Sequence, residues 1–240
     1  MTRIAPLDPQ TAQGTAKTLM DGVQASLGRV PNLMRVMAQA PAVLRGYLNL
    51  SEALGGGELP ATAREQVALA VSEINGCDYC LAAHSTIGKM VGLSPDQIDA
   101  ARRSNATDPK VDAALKLARA IVTRRGLVTD EEVTAARTAG LTDAEQLEVV
   151  GNVVLTILTN YVNFAAGTAV DFPRAAPLAA PRASPARRGR SRRAGPCCAC
   201  RSSGSTQTSG TPRGTWRACS SRACCRRARS AARCTGSRGG

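Results

Sequence analysis

Residues 64–84 read Arg64-Glu65-Gln66-Val67-Ala68-Leu69-Ala70-Val71-Ser72-Glu73-Ile74-Asn75-Gly76-Cys77-Asp78-Tyr79-Cys80-Leu81-Ala82-Ala83-His84. The apolar residues up to Ile74 recur at helical spacing, and Asn75-Gly76 is a helix stop, because both residues accept the left-handed conformation that ends a helix. A second helix then opens with two cysteines and the only histidine in the chain. At about 100° per residue, positions 77, 80 and 84 fall at roughly 0°, 300° and 340° on a helical wheel, so both sulfurs and the imidazole share one face. Cys77 is expected in the first turn, where unpaired amides and the positive end of the helix dipole favour a thiolate. On this argument Cys77 is the more acidic thiol.

The same residues permit other readings. Two cysteines and a histidine could ligate zinc, although such sites carry a fourth ligand, usually from a second pair some 12–20 residues on. They could be small buried hydrophobes with His84 satisfied on the helix surface. A structural disulfide is disfavoured, since a bridge between neighbours so close in sequence closes almost no loop and constrains the unfolded chain little. Glu73, one turn from Cys77, reads as a solvated helix carboxylate.

Outward from this stretch the helical grammar repeats. Pro9 to Leu27 carries Ala12, Ala16, Leu19, Met20, Val23 and Leu27 in helical register and stops at Gly28. Pro31-Asn32 opens a segment interrupted near Pro41, Gly55-Gly56-Gly57 is a loop, and Leu59-Pro60-Ala61-Thr62 starts the helix that leads into the dithiol stretch. Ser94 reads as an N-cap with Pro95 at the first helical position, Thr129-Asp130-Glu131-Glu132 and Thr142-Asp143-Ala144-Glu145 are capping-box starts, and Lys110 to Arg124 is helical between the first two of these signals. No alternating strand pattern stands out, so the fold class expected is all-α. Val149 to Val170 carries no charge over 22 residues, but its asparagines, glycines and threonines suit a buried helix better than a lipid-facing one.

Charge divides the chain in two. The whole carries 31 Lys and Arg against 18 acids, a net +13 that would suggest nucleic acid. Residues 1–174 hold all 18 acids and 16 of the basic residues, however, for a net of −2. The excess lies wholly in the last 66 residues, which contain 15 Arg, no Lys, no acid and one Leu. Such a stretch cannot bury a core, and disorder is expected of it. Arg187-Arg188, Arg192-Arg193 and Arg226-Arg227 could meet phosphates, yet Trp216 is the sole aromatic platform nearby, and Cys197, Cys198, Cys200, Cys219, Cys224, Cys225 and Cys234 match no familiar metal finger. Every abundant residue there has G/C-rich codons, as expected of a GC-rich gene translated out of frame or past its stop. The expected organisation is a helical domain at 1–173 and a low-complexity basic tail at 174–240. The first part has only two cysteines, in redox spacing, and no apolar signal core at its start. Both features fit a reducing cytoplasm.

Residues 64–84, with Pro31-Asn32, Gly88-Lys89, Leu93-Ser94, Thr159-Asn160-Tyr161-Val162-Asn163 and Asp171-Phe172-Pro173, resemble the carboxymuconolactone decarboxylase superfamily in its alkylhydroperoxidase D-like, peroxidase-related branch. The resemblance covers about residues 1–173. It implies an alkylhydroperoxidase D-like helical fold, homo-oligomers, and a thiol-dependent peroxidase that reduces hydrogen peroxide or organic hydroperoxides at the expense of a dithiol electron donor. It also implies Cys80 as the attacking thiol, Cys77 as the resolving thiol, and His84 with Glu65 as the proton relay. Two departures stand out: Tyr79 replaces a histidine that precedes the second cysteine in alkylhydroperoxidase D, and Phe164 stands where many relatives have histidine, so either slower turnover or a proton path through Tyr79 or water is expected. Lactone decarboxylation is disfavoured, since true decarboxylases of the family lack the Cys-x-x-Cys pair. No cofactor or metal is expected, because no glycine-rich dinucleotide turn follows a strand. A membrane or nucleic-acid partner is not expected. The alternative is a non-catalytic redox-sensing or partner-binding protein of the same fold.

Overall fold

Caps and glycines set the element boundaries that sequence grammar anticipates. The computed structural model describes residues 2–178; positions 179–240, most of the stretch expected to be disordered, lie outside the described residues. Those described are helical throughout their regular elements: α1 Gly14–Leu27, α2 Asn32–Met37, α3 Pro41–Gly55, α4 Ala61–Asn75, α5 Asp78–Met90, α6 Pro95–Arg102, α7 Pro109–Thr123, α8 Asp130–Thr138 and α9 Asp143–Ala166. Ser94, Thr129 and Thr142 each close a reciprocal capping box, with Gln97, Glu132 and Glu145 respectively. Pro41, Pro95 and Pro109 open α3, α6 and α7, where a missing amide costs no hydrogen bond.

Two expectations are corrected. The first helix starts at Gly14 and not at Pro9, because the Asp8 carboxylate takes the amide of Gln10 and the Asp8 carbonyl takes those of Thr11 and Ala12, and because Gly14 sits at φ +60°, outside helical space. Residues just beyond 173 also touch the helices, through Arg102, which holds Glu73 as well. Arg102, only 6% exposed, donates from Nη1 to the Ala176 carbonyl at 2.8 Å and from Nε to Glu73 at 2.7 Å. A buried guanidinium has to fill its donor positions, and the chain at 174–178 supplies one acceptor. Glu73 is therefore this arginine's partner, not a freely solvated carboxylate.

Helix α4 is the hub, packed against α5, α6, α7 and α9. Its apolar surface (Val67, Leu69, Ala70, Val71) joins Leu115, Ala118, Val149 and Val153 in one core. A second core, formed by Met20, Leu33, Met37 and Leu44, closes over Cys77, Tyr79, Cys80 and Ala83. The thiols thus lie at the seam between the N-terminal helices and the hub. Helix α9, with 24 residues, is the one described helix long and apolar enough to cross a membrane. Its inner face (Val149, Val153, Thr156, Asn160, Asn163) is buried in the bundle, and it packs closely enough on α3 that a Cβ on Gly151 would lie 2.9 Å from Leu54 Cδ2.

Candidate active site

The turn between α4 and α5 places the dithiol. Gly76, at φ +70°, ends α4 in a Schellman arrangement: its amide bonds the Glu73 carbonyl at 3.1 Å and the Cys77 amide bonds the Ser72 carbonyl at 2.9 Å. Cys77 then stands as the N-cap of α5 in extended conformation, not in its first turn, and its sulfur accepts the Cys80 amide at 3.4 Å. The two sulfurs are in direct contact at 2.9 Å, both thiols being free and almost fully buried. A small approach would bring them to the ~2.05 Å of a disulfide.

This geometry reverses the acidity expected from helix position. Cys80 is lowered to about 6: chiefly by the hydrogen bond from Cys77, against the opposing effect of burial, and then by the charge of His84 and the donated bond from Asn163. Cys77 moves the other way, because its proton serves Cys80, because it is buried, and because a thiolate lies beside it. Asn163, buried on α9, aims Nδ2 at the Cys80 sulfur at 3.3 Å and lies 4.0 Å from that of Cys77. Thr159 Oγ1 is 3.8 Å from Cys80, but its one proton goes to the Thr156 carbonyl at 2.8 Å, so it touches the sulfur without donating to it.

Glu65 and His84 are brought together by the packing of α4 on α5. Nδ1 of His84 lies 2.8 Å from Glu65 Oε2, with both side chains largely buried. Burial works against charge on the ring, yet Glu65, through its charge and its hydrogen bond, and then Cys80 raise the His84 pKa above its ordinary value. A thiolate at Cys80 and an imidazolium at His84 can therefore coexist near neutrality. Among the described residues no three His, Cys, Asp or Glu side chains gather as metal ligands would.

Tyr79 does not join this group. Its hydroxyl donates to Asp171 Oδ1 at 2.7 Å and accepts the Leu33 amide at 3.1 Å, while its ring meets Phe172 edge-on at 5.8 Å. Burial is the first of several causes that push its pKa up, so the phenol stays protonated. Asp171 also takes the Asn32 amide, and Arg29 stacks 4.2 Å above Phe172. The Pro31-Asn32 and Asp171-Phe172 motifs are thus two halves of one clamp around Tyr79, and the proton path expected through this residue is not built here. Phe164 lies on the surface, 41% exposed.

Beside the dithiol is a cavity of about 710 Å³ whose wall includes Glu65, His84 and Thr159, with Tyr47, Leu19 and Leu48 from the N-terminal helices. Of these, Tyr47 and Thr159 are absent from the sequence-derived site, and Asn163 had no role there. Each reaches the thiols from a helix distant in sequence, which periodicity within one segment does not reveal.

The helical bundle carries a buried Cys-x-x-Cys at a helix start, backed by a Glu–His pair, and its fold is alkylhydroperoxidase D-like. The sequence profile of the Carboxymuconolactone decarboxylase family matches residues 41–123 of the chain. Over 88 residues the chain is 28% identical to an alkyl hydroperoxide reductase of Mycobacterium tuberculosis, a match covering 36% of this chain and 26% of that protein. Among solved structures it is similar to a peroxidase-related protein with an alkylhydroperoxidase AhpD core from Ralstonia eutropha (23% identity, TM-score 0.64, 71% of this chain and 92% of that one). A peroxidase-related protein from Silicibacter gives 22% identity and TM-score 0.61 over 69% and 91%. The debrominase Bmp8, bound to 2,3,4-tribromopyrrole, gives 19% and 0.61 over 71% and 92%. At these identities the three structures establish the fold.

Proposed function

We propose that this protein is a thiol-dependent peroxidase that reduces hydroperoxides through a Cys77/Cys80 dithiol–disulfide cycle. The observation that carries the reading is the asymmetric thiol pair: a Cys80 held as thiolate near neutrality, touching a Cys77 that keeps its proton. The Cys80 thiolate attacks the terminal oxygen of the hydroperoxide and the O–O bond breaks. Sulfur takes that oxygen with its hydrogen as a sulfenic acid, and the leaving alkoxide takes a proton from the His84 imidazolium, which Glu65 orients. Cys77 then attacks the Cys80 sulfur, and the departing hydroxide leaves as water with the Cys77 proton. An external dithiol, oxidised in exchange, reduces the resulting disulfide and returns the proton to His84.

Two accompanying features belong to the same proposal. The outward face of α9 exposes Leu147, Val150, Val154, Tyr161 and Phe164 at helical spacing, which supports assembly with further copies of the chain. The dithiol also needs a reducing compartment to turn over. The test is steady-state consumption of cumene hydroperoxide by the full-length protein with dithiothreitol as donor. Turnover lost in both Cys77→Ser and Cys80→Ser is expected; cysteines that oxidise and are reduced without catalytic consumption would point to a redox sensor instead.

A further inference from the structure

The three tyrosines of the chain have different surroundings. Tyr79 is spent on Asp171 and Leu33, and Tyr161 is 60% exposed on α9. Tyr47, on α3, lies in the wall of the cavity that also holds Glu65, His84 and Thr159, and its hydroxyl makes no hydrogen bond to any described residue. Its ring packs on the apolar cluster that covers Cys77 and Cys80. A phenol anchored at its ring, in the same cavity wall as the Glu–His pair and with a free O–H, is a donor without an acceptor in the resting protein.

We propose that Tyr47 is a catalytic residue whose O–H bonds the leaving oxygen of the hydroperoxide while the Cys80 thiolate attacks the terminal one. This rests on the peroxidase reading above and adds a second donor to the site. As the O–O bond lengthens, negative charge accumulates on the alkoxide oxygen. The His84 imidazolium delivers the proton that the product alcohol keeps, and Tyr47 keeps its own, stabilising that charge by hydrogen bonding alone. Burial, with Glu65 and the Cys80 charge after it, pushes the Tyr47 pKa up to about 12, so the donor is intact wherever Cys80 is ionised. The apolar lining around it, Leu19 and Leu48 among others, suits a leaving group that carries hydrocarbon.

The test compares the wild type with Tyr47→Phe, which removes one oxygen and keeps the ring. The full-length protein is mixed in a single turnover with cumene hydroperoxide or with peracetic acid, quenched by alkylation, and the Glu65–Lys89 tryptic peptide is followed by mass spectrometry as its two thiols become a disulfide. With cumene hydroperoxide, whose leaving alkoxide is strongly basic, Tyr47→Phe should react roughly 10- to 100-fold more slowly, the range for losing a hydrogen bond to a developing charge. With peracetic acid, whose leaving acetate needs no such help, the two proteins should react at equal rates. Equal rates with cumene hydroperoxide would overturn the assignment, and so would equal slowing with both oxidants, which is the mark of a damaged fold. A wild type whose peptide is oxidised by neither reagent would overturn the peroxidase reading itself, and the role of Tyr47 with it.

Discussion

Asn163→Ala removes one donor from the Cys80 sulfur and leaves Cys77, His84 and Glu65 in place. The lost bond runs from Nδ2 to Sγ over 3.3 Å between residues that are 5% and 2% exposed, so water does not replace it. A hydrogen bond to a charged group is worth about 1.5–3 kcal/mol, and one pKa unit about 1.4 kcal/mol, so the Cys80 pKa should rise by roughly one to two. Starting from about 6, it would reach the neighbourhood of neutrality or above. At pH 7 the thiolate fraction would fall from about nine-tenths to between roughly one-half and one-tenth, with full reactivity restored in alkaline buffer. Stability should suffer less than for a fully satisfied amide, because Asn163 Oδ1 is buried without a partner and its removal relieves that cost. The assay is the pH dependence of iodoacetamide alkylation at Cys80, read on the Glu65–Lys89 peptide so that the other seven cysteines do not interfere. Midpoints for wild type and variant that agree within about 0.3 would refute the reasoning, since one pKa unit corresponds to about 1.4 kcal/mol.

Four more outcomes follow from the same geometry. The single-turnover rate of peroxide reduction should rise with pH through about 6 as Cys80 ionises, then fall above the raised His84 pKa as the imidazolium loses its proton; a profile flat from pH 5 to 9 would contradict it. By the same shifts, the contribution of Cys80 to stability is full above its ordinary value of 9.0 and lost as pH falls through about 6, whereas that of His84 is full below 6.5 and lost as pH rises through its folded value. Tyr79→Phe should destabilise the fold by about 1–3 kcal/mol in denaturant melts, since the Leu33 amide and Asp171 lose their partner, while leaving the Cys80 alkylation midpoint unchanged. Glu148→Ala should cost roughly 1.5–3 kcal/mol, because its two oxygens hold the Glu58 and Leu59 amides at 2.7 and 2.8 Å ahead of α4; an unchanged midpoint in urea would count against this.

How much of this was legible in the sequence depended on the range of the interaction. Ser94, Thr129, Thr142 and Gly76 act within a few residues of themselves, and their caps appear where the residue types place them. The Glu65–His84 pair was accessible through the resemblance carried by residues 64–84, and the structure brings the two side chains together. The acidity of the thiols was not legible: it depends on Cys77 standing one residue before the helix and on a carboxamide 83 residues beyond Cys80. Sequence alone places residue 77 inside the first turn, where the dipole would favour its thiolate, whereas it stands as the N-cap of α5. Similarly, Glu73 and Arg102 lie 29 positions apart, and no local pattern announces their pairing. Tyr47 shares helical spacing with core leucines, and only tertiary packing sets it in one cavity wall with Glu65 of α4 and His84 of α5.

The central claim is that Cys80 attacks and Cys77 resolves. The most direct test treats full-length Cys77→Ser and Cys80→Ser proteins with one equivalent of cumene hydroperoxide in the presence of dimedone, and maps the adduct on the Glu65–Lys89 peptide. A sulfenic acid should be trapped at Cys80 when Cys77 is replaced, and no adduct should form at Cys77 when Cys80 is replaced. An adduct at Cys77 in the Cys80→Ser protein, with Cys80 unreactive in the other, would contradict it.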